Sequence, residues 1–266
     1  MSVGEILDTA LKVYRNNFAT LVKIVAVVLA PIYLLLAIIQ ISARPTAGTT
    51  RSIAAAVGAF IVVIVLSLLA SQVATGAAFK AIGEAYLGHQ PDTERSIRFA
   101  ITKLGPMLLT GLLFGLAVAI GSILCIVPGI YLGVAFSLFI PVLFLEDLSG
   151  TKALSRSREL VSGRWWPILA VFVLAYIVIF IFSIILGVIL GAIVSGAGNN
   201  SVVAIIVSFI TNTISGALTT PFLAAVVTVT YFDQRVRKEG FDIELLTQRF
   251  GIDPPADGTG LGGPRI

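Results

Sequence analysis

Apolar residues run along this chain in four long blocks without a charge, and the charged residues are gathered between them. Twenty residues separate Lys23 from Arg44, and 28 separate Arg51 from Lys80. Two longer charge-free blocks follow, 42 residues at 104–145 and 68 residues at 165–232. A helix crossing the ~30 Å hydrocarbon core of a bilayer needs roughly 20 apolar residues. The first two blocks therefore hold one span each, and the last two hold two each. Pro128-Gly129 divides the third block, because proline removes a helical donor and glycine permits a tight turn. Ser195-Gly196-Ala197-Gly198-Asn199-Asn200 divides the fourth. The pattern predicts an all-α integral membrane protein with six spans, over residues 20–43, 53–79, 105–126, 129–145, 165–194 and 203–231.

Between the blocks the apolar positions take up the period of an amphipathic helix. In 4–18, Ile6, Leu7, Ala10, Leu11, Tyr14 and Phe18 share one face, and Ser2 with Glu5 has the spacing of a capping box. Residues 92–103 repeat the layout, with Ile97, Ala100 and Ile101 on the apolar side, and 151–162 repeat it again. Each of these stretches precedes a pair of spans. The chain thus reads as three pseudo-repeated units of interfacial helix plus membrane hairpin, similar in pattern and not in identity. A fourth amphipathic piece, 241–250, follows the last span, and the Gly- and Pro-rich residues 252–266 read as a disordered tail.

Composition sharpens this picture. Hydrophobic residues make up 57% of the chain and charged residues 12%, against about 25% charged in a soluble domain. A soluble helical core would not omit charge for 68 consecutive positions. An N-terminus on the cytoplasmic side puts 16 of the 18 Lys and Arg residues there, with only Arg44 and Arg51 outside. Basic residues in short loops are retained on that side during insertion, so both termini are expected to be cytoplasmic. The first apolar stretch is too long for the core of a signal peptide and lacks a small-residue cleavage site, so it is expected to remain as a span.

Candidate chemistry is sparse. No charge lies near the centre of a span, and Lys23 sits close enough to an end to snorkel. The sixth span carries Ser208, Asn212, Ser215 and Thr219 on one helical face. These either line a path or bond neighbouring helices or their own backbone. Gly111 and Gly115, Gly129 and Gly133, and Gly187 and Gly191 have the four-residue spacing that lets helices approach closely. On the cytoplasmic side, Lys152, Arg156, Arg158, Arg164, Trp165 and Trp166 form a basic, aromatic-ended segment suited to lipid headgroups. His89, in a Gly88-His89-Gln90-Pro91 loop, is the only histidine and Cys125 the only cysteine, so no HExxH zinc helix can be built and no Ser-His-Asp arrangement has its base within the membrane. Glu84, Glu146, Asp147 and Asp233 near the cytoplasmic span ends read as interfacial charge. No phosphate-binding loop and no nucleic-acid module is present.

Some stretches resemble a known family. Gly4-Glu5-Ile6-Leu7-Asp8 with Tyr14-Arg15-Asn16-Asn17-Phe18 is similar to the opening of a bacterial membrane-domain family named after glycerophosphoryl diester phosphodiesterases. Pro128-Gly129-Ile130-Tyr131-Leu132, the segment from Ala153-Leu154 to Trp166, and Tyr231-Phe232-Asp233-Gln234-Arg235 resemble later parts of it. The resemblance reaches to about Gly251. The family is frequent in actinobacteria as a stand-alone protein, and in some relatives it is fused to a soluble phosphodiesterase barrel. Nothing here matches that barrel's paired histidines and metal-binding acids. The resemblance therefore implies a membrane platform and carries over no catalytic residue.

The expected function is a non-enzymatic scaffold or accessory subunit of the bacterial cytoplasmic (inner) membrane. It would use no cofactor and no nucleic acid, and would engage anionic lipid headgroups or a membrane or cytoplasmic protein partner. The alternative is a small carrier for a lipidic or neutral solute along the sixth span, and an intramembrane hydrolase ranks third.

Overall fold

A computed structural model describes residues 1–42, 53–198 and 200–240, and every element in it is a helix. In chain order these are α1 (Val3–Asn16), α2 (Phe18–Ser42), α3 (Ile53–Tyr86), α4 (Thr93–Thr102) and α5 (Leu104–Leu124), followed by α6 (Ile126–Ala135), α7 (Phe139–Leu145), α8 (Thr151–Val161), α9 (Trp165–Gly196) and α10 (Ser201–Glu239). Six stretches among them are long and apolar enough to cross a membrane, with α6 and α7 together making the fourth. The fourth amphipathic piece, 241–250, the tail, and residues 43–52, which include Arg44 and Arg51, lie outside the described residues.

Local chemistry sets the helix ends. Ser2 caps α1: its Oγ accepts from the Glu5 N–H, and the Glu5 carboxylate accepts from the Ser2 N–H. Asp92 caps α4 by accepting from the Arg95 N–H at 2.8 Å. The α5–α6 turn falls at Cys125, whose backbone is extended, and not at Pro128-Gly129. Pro128 lies in the first turn of α6, where a missing N–H costs nothing. Gly129 serves a different need. A Cβ there would sit 2.0 Å from Ser122 Oγ and 2.9 Å from Ser122 Cα, so only glycine lets α5 and α6 close.

α10 is the central element, packed on α1, α2, α3 and α9. Its inner half, from Ala224 to Gln234, is buried without interruption. Alanines on α3 (Ala70, Ala74, Ala77, Ala78 and Ala81) keep this region tight. α2 meets α10 at Gly216, where Leu29 occupies the space a side chain would need, 2.5 Å from an ideal Cβ. The glycine pairs singled out by spacing are mostly elsewhere: Gly111, Gly115, Gly133, Gly187 and Gly191 all face open space. α9 is the least enclosed span, with Tyr176, Phe180, Ile184 and Val188 among its exposed side chains.

α8 lies on the bundle with one face buried and the other, with Lys152, Ser155 and Arg158, exposed. Ala153, Leu154, Ser157, Leu160 and Val161 are all buried, against α5, α6, α7 and α10. The loop before it is pinned by Thr110, whose Oγ1 accepts from the Gly150 N–H at 2.7 Å and donates to the Pro106 carbonyl.

Candidate functional site

Two regions combine polar groups with a defined geometry: the charged end of the bundle, and a cavity where the fourth span breaks.

At the charged end, α8 and the last turns of α7 and α10 meet around Arg156. Its Nε donates to Glu146 at 2.7 Å and its Nη1 to Glu159 at 3.2 Å, and it also pairs with Glu239. Glu146 accepts a second hydrogen bond from the Tyr231 hydroxyl at 2.8 Å, and Glu239 a second from Arg235 at 2.8 Å. Burial alone would lower the Arg156 pKa, but the hydrogen bonds to Glu146 and Glu239 outweigh it and hold the group above the usual arginine range. Asp233, only 4% exposed, accepts from Arg237 at 3.0 Å and from the Met1 ammonium at 2.6 Å. Lys103 pairs with Asp147, and Lys80 with Glu84 at 3.3 Å. The four carboxylates named from the sequence are thus each matched to a cation, and no three potential ligands gather around a metal position among the described residues.

The six residues suggested for headgroup contact are divided by this arrangement. Lys152 and Arg158 are exposed and have no ion-pair partner among the described residues. Arg156 turns inward instead: its charge is met by protein carboxylates, because the α8 face that carries it is the one packed on α7 and α10. Arg164 is half-buried at the start of α9. Trp165 stacks on Tyr131 at 6.0 Å and donates its Nε1–H to the Tyr131 carbonyl at 3.2 Å, while Trp166 is 74% exposed.

On the last span, the polar face is directed mainly to its own helix. Asn212 Nδ2 donates to the Ser208 carbonyl at 2.8 Å, and Thr219 Oγ1 to the Ser215 carbonyl at 2.7 Å. Ser208 and Asn212 are exposed, and only Thr219 of the four borders the cavity. Asn212→Leu should therefore change the unfolding free energy by less than about 0.5 kcal/mol, as for a surface site. A larger loss of thermal stability would show that Asn212 holds another helix.

The cavity has a volume of about 630 Å³. It lies between the last third of α3, the first half of α9, the middle of α10 and the α6–α7 break, with Phe79, Phe114, Phe139 and Phe172 in its walls. The break spans 136–138, where a continuous helix would keep its bonds. Ser157 of α8 replaces two of them: its Oγ donates to the Ala135 carbonyl and accepts from the Leu138 N–H, both at 3.0 Å. Ser137, in the break and on the cavity wall, donates to the Val134 carbonyl at 2.8 Å. Sequence reasoning does not place the break, and it passes over Ser157. The signal for Ser157 is a serine on the apolar side of an amphipathic helix. Cys125 and His89 are both exposed and take no part in either region.

The model of one protein family, a domain of unknown function (DUF7847), matches residues 94–234, more than half of the chain, and the chain belongs to that family. Neither a curated protein nor a solved structure matches it.

Proposed function

We propose that this family member is a non-catalytic, multi-pass protein of the bacterial inner membrane, with both termini in the cytoplasm and a cytoplasmic face that binds anionic lipid headgroups. In this reading the chain is three units of helix plus hairpin. It also carries the membrane domain that its opening and its Tyr231-to-Arg235 segment resemble.

One observation carries the reading. Basic residues turned into the bundle are matched to acceptors within the protein, as at Arg156, Arg235 and Lys103. Arg15, Lys23, Arg95, Lys152 and Arg158 are instead exposed and without an ion-pair partner among the described residues. An anionic bilayer surface supplies the missing counter-charge, at about 1 kcal/mol for each basic residue near it. A catalytic reading has less support, because the carboxylates are engaged in ion pairs and the sole histidine lies in an exposed loop.

The test is lipid selectivity. Spin-labelled phosphatidylglycerol should be enriched beside the purified protein over spin-labelled phosphatidylcholine in reconstituted vesicles. Lys152→Gln with Arg158→Gln should reduce that preference several-fold, and salt should reduce it too. Equal association of both lipids with the unaltered protein would refute the headgroup reading and leave a protein partner as the better account of the exposed bases.

A further inference from the structure

We propose that the cavity at the break in the fourth span is a binding site for one acyl chain of a membrane phospholipid, with the headgroup remaining outside it. This rests on the membrane part of the reading above and not on the headgroup part.

The walls identify the chemistry. Phenylalanines and branched aliphatic side chains dominate them, and no charged residue borders the space. Five hydroxyls stand among twelve Phe, Ile, Leu and Val side chains in the walls. Ser137 and Thr219 donate to backbone carbonyls, at 2.8 and 2.7 Å. Those of Thr75, Tyr176 and Thr220 have no hydrogen-bond partner among the described residues, so a few polar contacts remain in a largely apolar wall. The break in the span would be the natural place for water, since its backbone groups have lost their helical partners. Ser157 satisfies two of them, the Leu138 N–H and the Ala135 carbonyl, from the α8 side. Non-helical backbone at membrane depth is tolerated where protein buries it or a cavity needs it, and here the protein buries it.

Such a space does not stay empty or fill with water. Leaving a void costs in proportion to its volume, and waters filling it would need two to four polar partners each, more than the three unengaged hydroxyls supply. At about 630 Å³ it falls in the range of ligand pockets, roughly 300–1,000 Å³. The lining comes from apolar stretches of α3, α5, α9 and α10 that belong to candidate spans, and from the break, where hydrocarbon chains are the abundant solute. Gly133 marks the free room directly: a Cβ built on it meets nothing within 4 Å.

The probe is a phosphatidylcholine carrying a diazirine in one acyl chain, in nanodiscs with the full-length protein. Its neutral headgroup removes the electrostatic contribution of the exposed bases. Photolysis and peptide mapping should place crosslinks on cavity residues of α6 and α9, such as Ile130 and Phe172, beyond those on the outward side chains Ile181 and Ile185. Gly133→Leu should cut the cavity crosslinks about tenfold, leave those at Ile181 and Ile185 unchanged, and leave the melting temperature equal or higher. Thr220→Leu, from the opposite wall, should act in the same direction and carries the test if the first variant does not fold. Lys152→Gln with Arg158→Gln should leave cavity crosslinking as it was, so that a failed headgroup reading and a failed cavity reading give different results. Crosslinks confined to the outward side chains, or cavity crosslinks that both filling variants leave intact, would overturn the proposal.

Discussion

Arg156→Ala should lower the unfolding free energy by roughly 2–3 kcal/mol, and the same change two residues later, Arg158→Ala, should stay within about 0.5 kcal/mol. The two side chains share a helix and a charge and differ in what they touch. Arg156 bridges Glu146 and Glu239, with side-chain exposures of 19%, 15% and 27% for the three. Its removal leaves Glu146 with only the Tyr231 hydroxyl, and Glu239 with Arg235 alone. A fully buried pair broken in this way costs about 3–5 kcal/mol, and the remaining solvent contact reduces that figure. The single loss should also exceed that of Arg156→Met combined with Glu146→Leu, because the double change leaves fewer orphaned charges. Thermal unfolding of the purified protein in a mild detergent decides it. Equal effects of Arg156→Ala and Arg158→Ala would mean that the carboxylate cluster contributes nothing to stability.

That contrast also shows where reading the sequence stops. The spans are legible because the bilayer imposes a length and a charge rule on every stretch of chain that enters it. The predicted 165–194 thus meets α9 at Trp165–Gly196, and 105–126 meets α5 at Leu104–Leu124. The capping box at Ser2 and Glu5 is legible because both partners lie within one turn. Arg156 and Arg158 cannot be told apart in this way. Their difference depends on Glu239, 83 positions away, and no local period encodes that. Glycine spacing fails for a related reason. Gly129 and Gly216 are the close approaches, but they are identified by Ser122 and Leu29 opposite them, and the four-residue spacing alone equally selects Gly187 and Gly191, which face open space. The length of the fourth span was readable, and its division into α6 and α7 was not, because the residue that makes the break tolerable belongs to α8.

Ser157→Ala should therefore be among the most costly single-atom deletions in the protein, at roughly 2–4 kcal/mol. The hydroxyl is fully buried and holds both sides of the break, accepting from Leu138 N–H and donating to the Ala135 carbonyl. Without it, one donor and one acceptor of the backbone are left unpaired in apolar surroundings, at about 1–3 kcal/mol each. Part of this is recovered if the chain shifts toward a continuous helix. Ser157→Thr keeps the hydroxyl and should retain more of the stability than Ser157→Val, which has nearly the same shape without it. The order Ser, then Thr, then Val and Ala in melting temperature is the expected result. Hydrogen exchange adds a local readout: the Leu138 amide should lose protection in Ser157→Ala, while amides in the middle of α9 keep theirs. A threonine variant no more stable than valine, with Leu138 equally protected in both, would show that the break is held by packing around it and that Ser157 only fills space.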